Sequence, residues 1–208
     1  MKKNRTVTVV DESDGSTDGR TMRRTRNRTA VISALLEMIR EGNLHPGAAE
    51  IAERAGVSHR SIFRYFDDLN DLVRTAIDQA FRDAQPLSSI RELGSGDFDE
   101  RVAALVDTRL ALFEFVNGPM QLAKMRAYSI PSIDTELAAV AEHFREQIRE
   151  HFATELAGVD RPEREYLVDG ALVLTGYDSY STHIRLLGSS RERIRAAWIA
   201  AVGALMRG

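Results

Sequence analysis

The segment from Ala48 to Phe66, AAEIAERAGVSHRSIFRYF, restricts the fold of this chain more than any other part of the sequence. Gly56 predicts a tight turn between two short helices, because glycine adopts the positive φ of a helix end without a steric penalty. Ala52 is small where the second helix must cross the first closely, and Ser58 is a favoured residue for capping a helix start. The pattern predicts a helix-turn-helix.

The two faces of these helices differ in chemistry. Four apolar residues are spaced to face inward and hold the crossing angle: Ile51, Val57, Ile62 and Phe66. Arg60 is the best candidate for a base contact, because a guanidinium can bridge O6 and N7 of guanine. Tyr65 is placed for a phosphate oxygen. The second helix of the motif, together with its capping residue, supplies seven candidate DNA contacts: Ser58, His59, Arg60, Ser61, Phe63, Arg64 and Tyr65.

The charge of the chain is unevenly distributed. Residues 20–66 hold nine arginines against four glutamates, whereas residues 67–208 hold 16 basic and 23 acidic side chains. A basic module on an acidic body is typical of local polyanion binding, although a solvated basic face is the alternative. Four arginines that precede the first helix are expected to follow the DNA backbone or enter the minor groove: Arg23, Arg24, Arg26 and Arg28.

The rest of the chain follows helical periodicity without strand alternation. Helix one is predicted over about 26–41, helix two over 48–55 and helix three over 58–66. Asp68 is expected to cap a fourth helix that ends near Pro86, and Gly118-Pro119 is expected to break the helix that follows. The later helices are predicted at about 97–116, 119–128, 132–156, 161–187 and 190–206. The sequence therefore predicts an all-α fold of about nine helices.

Several classes of site are excluded or disfavoured. The absence of cysteine excludes disulfides, thiolate metal sites and cysteine nucleophiles. No phosphate-binding glycine loop and no nucleophile elbow occurs, so we expect neither an enzyme nor a cofactor. His143 and His151 lie about 12 Å apart along a helix, too far to share a metal, and are expected on a solvated charged face. No apolar run reaches the roughly 20 residues of a membrane span, so a cytoplasmic protein is expected.

The segment IAERAGVSHRSIFRYFDDLNDLV, with the helix before it, resembles the DNA-binding signature of the tetracycline-repressor (TetR) family of bacterial regulators. The resemblance covers about residues 24–73. LacI-type repressors share an alanine–glycine–valine–serine turn. They place it at the extreme N-terminus ahead of an α/β sensor domain, which disagrees with the IFRYF ending and the helical remainder here.

The resemblance implies a homodimer that binds a near-palindromic double-stranded DNA operator and is released by a small-molecule effector of unknown identity. It implies a DNA-binding domain at 21–67 and an effector-binding and dimerisation domain at 68–208. Residues 1–20 are rich in Asp, Ser, Gly and Thr and are expected to be a disordered tail. Two positions depart from the family pattern. Phe63 stands where many relatives have tyrosine, and Leu69 stands where many have lysine, so the phosphate clamp is expected either to be weaker or to rely on the arm from Arg23 to Arg28.

The C-terminal half contains two groups of candidate ligand contacts. Large apolar residues are expected either to line a cavity or to fill one: Phe113, Met120, Met125, Tyr128 and Phe144. Within LVLTGYDSYSTHI, polar residues on adjacent turns of one long helix are expected to line a pocket, to face solvent or to lie in a wet interface: Thr175, Asp178, Ser179 and Thr182.

The last two helices contain the candidate dimer surface. An apolar stripe on the final helix faces small residues on the helix before it, which suits close helix packing. The residues are Gly170, Ala171, Ile194, Trp198, Val202 and Leu205, and a purely intramolecular core is an equal alternative.

These patterns favour a ligand-responsive DNA-binding transcriptional regulator, most simply a repressor. Two other classes remain open at this point. One is an architectural DNA-binding protein without an effector, and the other is a helical enzyme or carrier module with a DNA-binding tether.

Overall fold

The computed structural model describes residues 14–207, with side chains from residue 19 onward, as ten helices without a strand. The all-α prediction is confirmed. Internal contacts divide the chain between Ala76 and Ile77, so the division falls within the fourth helix, nine residues after the expected boundary at 67/68. The two units are described separately below.

The N-terminal unit contains α1 (Asp14–Arg40), α2 (Ala48–Arg54), α3 (His59–Tyr65) and the first two turns of α4 (Leu69–Ser88). Its core is formed by apolar side chains that recur at helical spacing and are almost completely buried: Val31, Leu35, Ile39, Ile51, Ile62 and Leu72. The α1–α2 turn uses Gly42, with φ +94°, and the α2–α3 turn uses Gly56, with φ +65°. Both glycines permit the left-handed turn that reverses the chain between helices.

Helix α1 begins much earlier than predicted. The sequence predicted a start near Arg26, whereas the helix starts at Asp14. Of the tail expected to be disordered, residues 1–13 lie outside the described residues, and residues 14–20 are helical instead. A solvated helix needs no apolar stripe, and residues 14–25 contain no proline to interrupt one, so periodicity could not reveal this extension.

The second unit contains the rest of α4 and six further helices: α5 (Phe98–Ala127), α6 (Pro131–His151), α7 (Ala153–Leu156), α8 (Arg161–Leu174), α9 (Tyr177–Arg185) and α10 (Arg191–Arg207). One part of its core surrounds Phe113, Tyr180 and Trp198. A second part surrounds Leu105, Phe152 and Val202. Helices α5 and α10 contribute to both parts, which makes them the central pair of this unit.

Two prolines expected to stop helices lie inside them. Helix α4 continues through Pro86 to Ser88, and α5 continues through Pro119 to Ala127. Proline costs an interior helix about 3 kcal/mol, because it lacks an N–H and clashes with the preceding turn. Pro119 is buried between buried Val116 and Met120, so packing of the flanking turns outweighs that cost. Pro86 lies in the last turn of α4, where any distortion that it causes affects only the two helical residues that follow.

Two helices predicted as continuous are interrupted. The helix predicted at 161–187 divides into α8 and α9 at Thr175 and Gly176. Thr175 donates its Oγ1 proton to the Ala171 carbonyl at 2.8 Å. A Cβ on Gly176 would lie 2.9 Å from the Leu172 carbonyl oxygen, so this close backbone approach requires glycine. The helix predicted at 132–156 divides at Phe152, where φ is −109° and ψ is 27°.

His151 lies in the interior rather than on the expected solvated face. Its Nδ1 accepts a hydrogen bond from the Gly94 backbone N–H at 2.9 Å, and its Nε2 donates to the Arg101 carbonyl at 2.9 Å. Burial lowers the pKa of His151 below its ordinary 6.5, against the opposing effect of the bond to the Arg101 carbonyl. The neutral ring thereby connects α6 to the segment that precedes α5.

In the described residues, no helix is both long enough and apolar enough to cross a membrane.

We expect Gly176→Ala to destabilise the second unit by about 1–3 kcal/mol, because the added methyl group meets a backbone oxygen that cannot move aside. The measurement is urea unfolding followed by circular dichroism. Gly158→Ala is the matched control, since a Cβ there meets no atom within 4 Å and should change the free energy of unfolding by less than about 1 kcal/mol. Equal effects at the two glycines would contradict the close-approach assignment.

The His151 geometry predicts a pH dependence. Because the folded pKa lies below 6.5, the unfolded chain takes up a proton first, and the free energy of unfolding falls as pH decreases from about 6.5 toward the folded pKa. Thermal melting at pH 7.5 and 5.5 should show this loss, and His151→Gln should reduce it. Val168→Ala removes buried volume without a titratable group, so its destabilisation should be similar at both pH values.

Candidate nucleic-acid interface and effector cavity

Helix α3 begins immediately after the turn that follows α2. The Val57 backbone N–H donates to the Ala52 carbonyl at 3.0 Å and closes that turn. Ser58 then caps α3 as predicted: its Oγ accepts from the Ser61 N–H at 3.3 Å and lies 2.8 Å from the Ser61 hydroxyl. The first turn of α3 is thereby fixed by local bonds, and its outward side chains project from a defined start.

The outward face of α3 carries the side chains that were predicted to contact DNA. His59, Arg60, Phe63 and Arg64 are exposed, and Ser61 is half-buried. The His59 and Phe63 rings pack edge to face with centroids 5.2 Å apart. Within residues 19–207, Arg60 makes no hydrogen bond or ion pair with another side chain. Its guanidinium is therefore available to an external acceptor.

Tyr65 does not stand outward, so that prediction is wrong. Its ring is only 8% exposed, and its hydroxyl accepts from Asn27 Nδ2 at 3.3 Å and from Arg64 Nη2 at 2.8 Å. The hydrogen bond from Asn27 is the main cause that lowers the pKa of the Tyr65 hydroxyl; burial opposes it, and the bond from Arg64 adds to the lowering. Tyr65 connects α1 to α3. Nothing in the local pattern around Asn27 indicated this pairing, which joins residues 38 positions apart.

The four N-terminal arginines belong to α1 and do not form an extended arm. Arg23, Arg24, Arg26 and Arg28 are exposed along the helix. The Arg28 guanidinium lies over the Phe66 ring at 4.9 Å from its centroid. An arm that inserts into a minor groove needs an extended backbone, and these arginines are helical. Following the phosphates is therefore the role that remains predicted for them.

The start of α4 is capped by its own carboxylates. The Asp71 backbone N–H donates to Asp68 Oδ1 at 2.8 Å, and the Asp67 N–H donates to Asp71 Oδ2 at 3.2 Å. A helix start without such acids offers its N–H groups to a phosphate. Here the Asp68 carboxylate already takes the Asp71 N–H, and the acids at this helix start add negative charge, so the start of α4 is a poor phosphate site.

Within the second unit, the end of α4 and helices α5 and α6 line a cavity of about 410 Å³ that is open to solvent on the side of Ser89, Ala139 and His143. Most of its lining is apolar, and the polar lining residues are Gln85, Ser88, Ser89 and His143. A second cavity of about 250 Å³ shares Phe113, Met120, Val140 and Phe144 with the first. At the second cavity Lys124 Nζ lies 2.6 Å from Asp178 Oδ2.

The predicted ligand contacts divide into two groups. Phe113, Met120 and Phe144 line both cavities, and Asp178 lines the second. The other five lie away from both cavities: Met125, Tyr128, Thr175, Ser179 and Thr182. Tyr128 is 99% exposed beyond the end of α5. Thr175 caps α8, and Ser179 Oγ accepts from Trp198 Nε1 at 3.0 Å. These polar side chains are engaged in helix breaks and packing.

The predicted dimer stripe is buried within one chain. Ala171, Ile194, Trp198 and Val202 are each at most 2% exposed. A Cβ on Gly170 would lie 3.0 Å from Leu205 Cδ2, so that pair also packs internally. The intramolecular alternative therefore holds, because this face of α10 packs against α5 and α8 of the same chain.

Comparison with known proteins agrees with this architecture. Residues 31–76 match the family model described as bacterial regulatory proteins, tetR family. The HTH-type transcriptional regulator BetI of Escherichia coli O17:K52:H18 (strain UMN026 / ExPEC) is 36% identical over 95 residues, which cover 44% of this chain and 48% of that protein. The chain thus spans about half the length of the curated relative it matches.

Two solved structures share the fold over most of the chain. A transcriptional regulator of Rhodococcus sp. Rha1 superposes with a TM-score of 0.67 at 21% identity, covering 87% of this chain and 96% of that one. A Mesorhizobium loti MAFF303099 protein assigned to the TetR family superposes with a TM-score of 0.63 at 14% identity, covering 88% and 96%. Both alignments extend well beyond the helix-turn-helix into the helical body.

We expect Arg60→Ala to weaken binding to specific DNA by about 1–3 kcal/mol, because the variant loses a guanidinium that can bridge one base. Fluorescence anisotropy with a duplex selected from a random library measures the loss. Arg82→Ala, which removes an exposed arginine from the second unit, is the charge-matched control and should keep the wild-type affinity. Equal affinity of Arg60→Ala and wild type for that duplex would remove Arg60 from the base-reading role.

Proposed function

Because the chain belongs to the TetR family of bacterial regulatory proteins, we propose that it is a transcriptional regulator that binds a near-palindromic operator as a homodimer. A small molecule in the helical body releases it from that operator, which makes it a repressor in the simplest case. The observation that carries the proposal is the exposed face of α3, where Arg60 and its neighbours lie within the matched region.

The DNA-reading role is supported by the chemistry of the N-terminal unit. The first turn of α3 is held by Ser58 and exposes Arg60, as a helix entering a major groove requires. The exposed arginines of α1 supply positive charge for phosphates, which dominates affinity for DNA of any sequence. Since acids occupy the start of α4, these arginines carry the backbone contacts.

The dimer is supported by an apolar surface that the single chain leaves exposed. On α8, Tyr166 and Val173 are 72% and 71% exposed and lie two turns apart on one face. On α10, alanines are exposed opposite the buried stripe, at Ala197, Ala200 and Ala204, between the exposed Arg193 and Arg207 near the two ends of the helix. Small residues on one helix and large apolar ones on its neighbour suit close packing against a second copy. A dimer would place two α3 helices in successive major grooves, about 34–36 Å apart.

The release step is supported by the position of the larger cavity. Its polar lining includes the last turn of α4, and α4 also contributes its first turns to the DNA-binding unit. A ligand that favours one arrangement of this helix shifts operator affinity through it. Coupling of this kind needs only about 1–3 kcal/mol between the two sites.

The other two classes make different predictions. An architectural DNA-binding protein would show little preference among sequences and no release by a ligand. An enzyme or carrier module would turn over or transfer a substrate, and no observation in the described residues favours such a reaction over ligand binding.

The deciding experiment combines operator selection with the oligomeric state. The full chain should bind a selected duplex at least about 10³-fold more tightly than random duplex and sediment as a dimer. Tyr166→Asp places a charge on the proposed dimer face, so it should sediment as a monomer and lose specific binding.

Tyr128→Asp is the matched control, because it makes the same substitution at an exposed tyrosine outside the proposed face. It should remain dimeric and bind the operator. A dimeric Tyr166→Asp would move the interface elsewhere, and equal binding to selected and random duplexes would favour the architectural class.

A further inference from the structure

A buried cation without an acidic partner lies behind the polar end of the larger cavity. Arg109 of α5 is 1% exposed. It donates from Nη2 to Gln147 Oε1 at 3.0 Å and from Nη1 to the Ser88 carbonyl at 3.4 Å. Its guanidinium lies over the Phe144 ring at 3.7 Å from the centroid. All three partners are neutral, and no ion pair within residues 19–207 involves Arg109. The other buried arginine, Arg101, pairs with Glu155.

Burying a charge without a partner costs free energy, so the surroundings of the Arg109 guanidinium indicate its function. Burial lowers the pKa of Arg109 to about 9, which still leaves the guanidinium protonated near neutral pH. The carboxyl end of α4, at Ser88, presents the negative end of a helix dipole. That end is equivalent to roughly half an elementary charge and therefore offsets only part of the guanidinium. A net positive charge remains at this place in the unit.

The charge is connected to the cavity through shared residues. Arg109 does not line the cavity, but Ser88 and Phe144 line it and both contact Arg109. The remaining polar lining residues cluster at the same end, since Ser89 follows Ser88 and Gln85 lies one helical turn before it. His143 belongs to the same cluster, because its Nε2 lies within hydrogen-bond distance of Gln147. The rest of the lining is mainly apolar, so the cavity is amphipathic.

Hydrogen bonds determine which side chains at the polar end of the cavity donate and which accept. Gln147 Nε2 donates to the Ser88 carbonyl at 3.0 Å and lies 2.8 Å from His143 Nε2. The amide orientation is fixed, because Arg109 can only donate and a carbonyl can only accept. His143 Nε2 must therefore accept from the amide, which places the ring proton on Nδ1. With the Ser89 hydroxyl, this end offers hydrogen-bond donors, which suits a ligand group that only accepts.

We propose that the larger cavity binds an amphipathic carboxylic acid, with its carboxylate at the Ser88, Ser89 and His143 end and its apolar chain against Phe113 and Val140. The proposal rests on the effector role of this cavity in the proposed function and names the chemical class of the effector. A carboxylate accepts hydrogen bonds only and supplies a negative charge at the end of the cavity that the buried Arg109 borders through Ser88 and Phe144. A neutral amphiphile forgoes that attraction, and a cationic one is repelled.

Three probes with one apolar chain and different head groups test the charge: decanoate, decanamide and decylamine. Isothermal titration of the full chain at pH 7.5 should give a dissociation constant for decanoate at least about tenfold lower than for decanamide. Decylamine should bind most weakly. Absence of decanoate binding, or a dissociation constant for decanamide or decylamine equal to or below that of decanoate, would overturn the proposal.

Two neighbouring alanines of α6 test the location. Both side chains are exposed, and only Ala139 lines the cavity. Ala139→Trp should fill the cavity and abolish decanoate binding, and Ala138→Trp should bind as wild type does. Decanoate binding that survives Ala139→Trp would place the ligand elsewhere and overturn the proposal.

Arg109 itself is tested by two substitutions. Arg109→Lys retains the charge and should keep the preference for decanoate over decanamide, whereas Arg109→Met should reduce the ratio of the two dissociation constants to about one. A full preference in a folded Arg109→Met variant would contradict the role of Arg109. If that variant does not fold, the ranking of the probes on the wild-type chain and the Ala139→Trp result decide.

The failure of this inference is distinguishable from the failure of the proposed function. Operator affinity is measured on the same preparations, with and without each probe. A chain that selects no operator contradicts the proposed function, whatever the probes do. A chain that binds its operator but ranks the probes in the wrong order contradicts only the carboxylate assignment.

Discussion

The packing of α10 against α5 and α8 is the contact on which the helical body depends. Ile194, Trp198 and Val202 are fully enclosed within one chain, and Trp198 joins α9 through its bond to Ser179. Because these side chains are used internally, they are unavailable to a second copy. The opposite face of α10 exposes alanines between Arg193 and Arg207, and this face and the exposed part of α8 remain for the proposed partner. The buried stripe of α10 thus determines both how the core packs and which surfaces remain exposed for a second copy.

Local signals made the DNA-binding unit predictable. The turn at Gly56 depends on a φ that only glycine adopts freely, and the start of α3 depends on the Ser58 cap. Both signals lie within a few residues of the structure they produce. The family resemblance, carried by the same residues, is confirmed. The inward position of Tyr65 was missed because its hydroxyl is held by Asn27, and that pairing depends on how α1 packs on α3.

The helical body was less predictable, because its features arise from contacts between distant segments. Pro119 reads as a helix stop, yet buried neighbours keep α5 continuous. His151 reads as a surface histidine, yet Gly94 and Arg101 enclose it. An apolar stripe such as that of α10 looks the same whether its partner is the same chain or another. The two cavities likewise depend on side chains from three or more helices, so sequence periodicity identified only some of the residues that line them.

The basic face of the N-terminal unit consists of arginine, and the only lysine within residues 14–207, Lys124, lies in the second unit. Acetylation removes charge from lysine, whereas a guanidinium stays protonated throughout the physiological pH range. In the described part of the chain, the charge that faces DNA is therefore beyond the reach of lysine acetylation and insensitive to modest alkaline shifts. Regulation of DNA binding therefore acts through other means, such as a bound ligand, the amount of protein or competition for the same DNA.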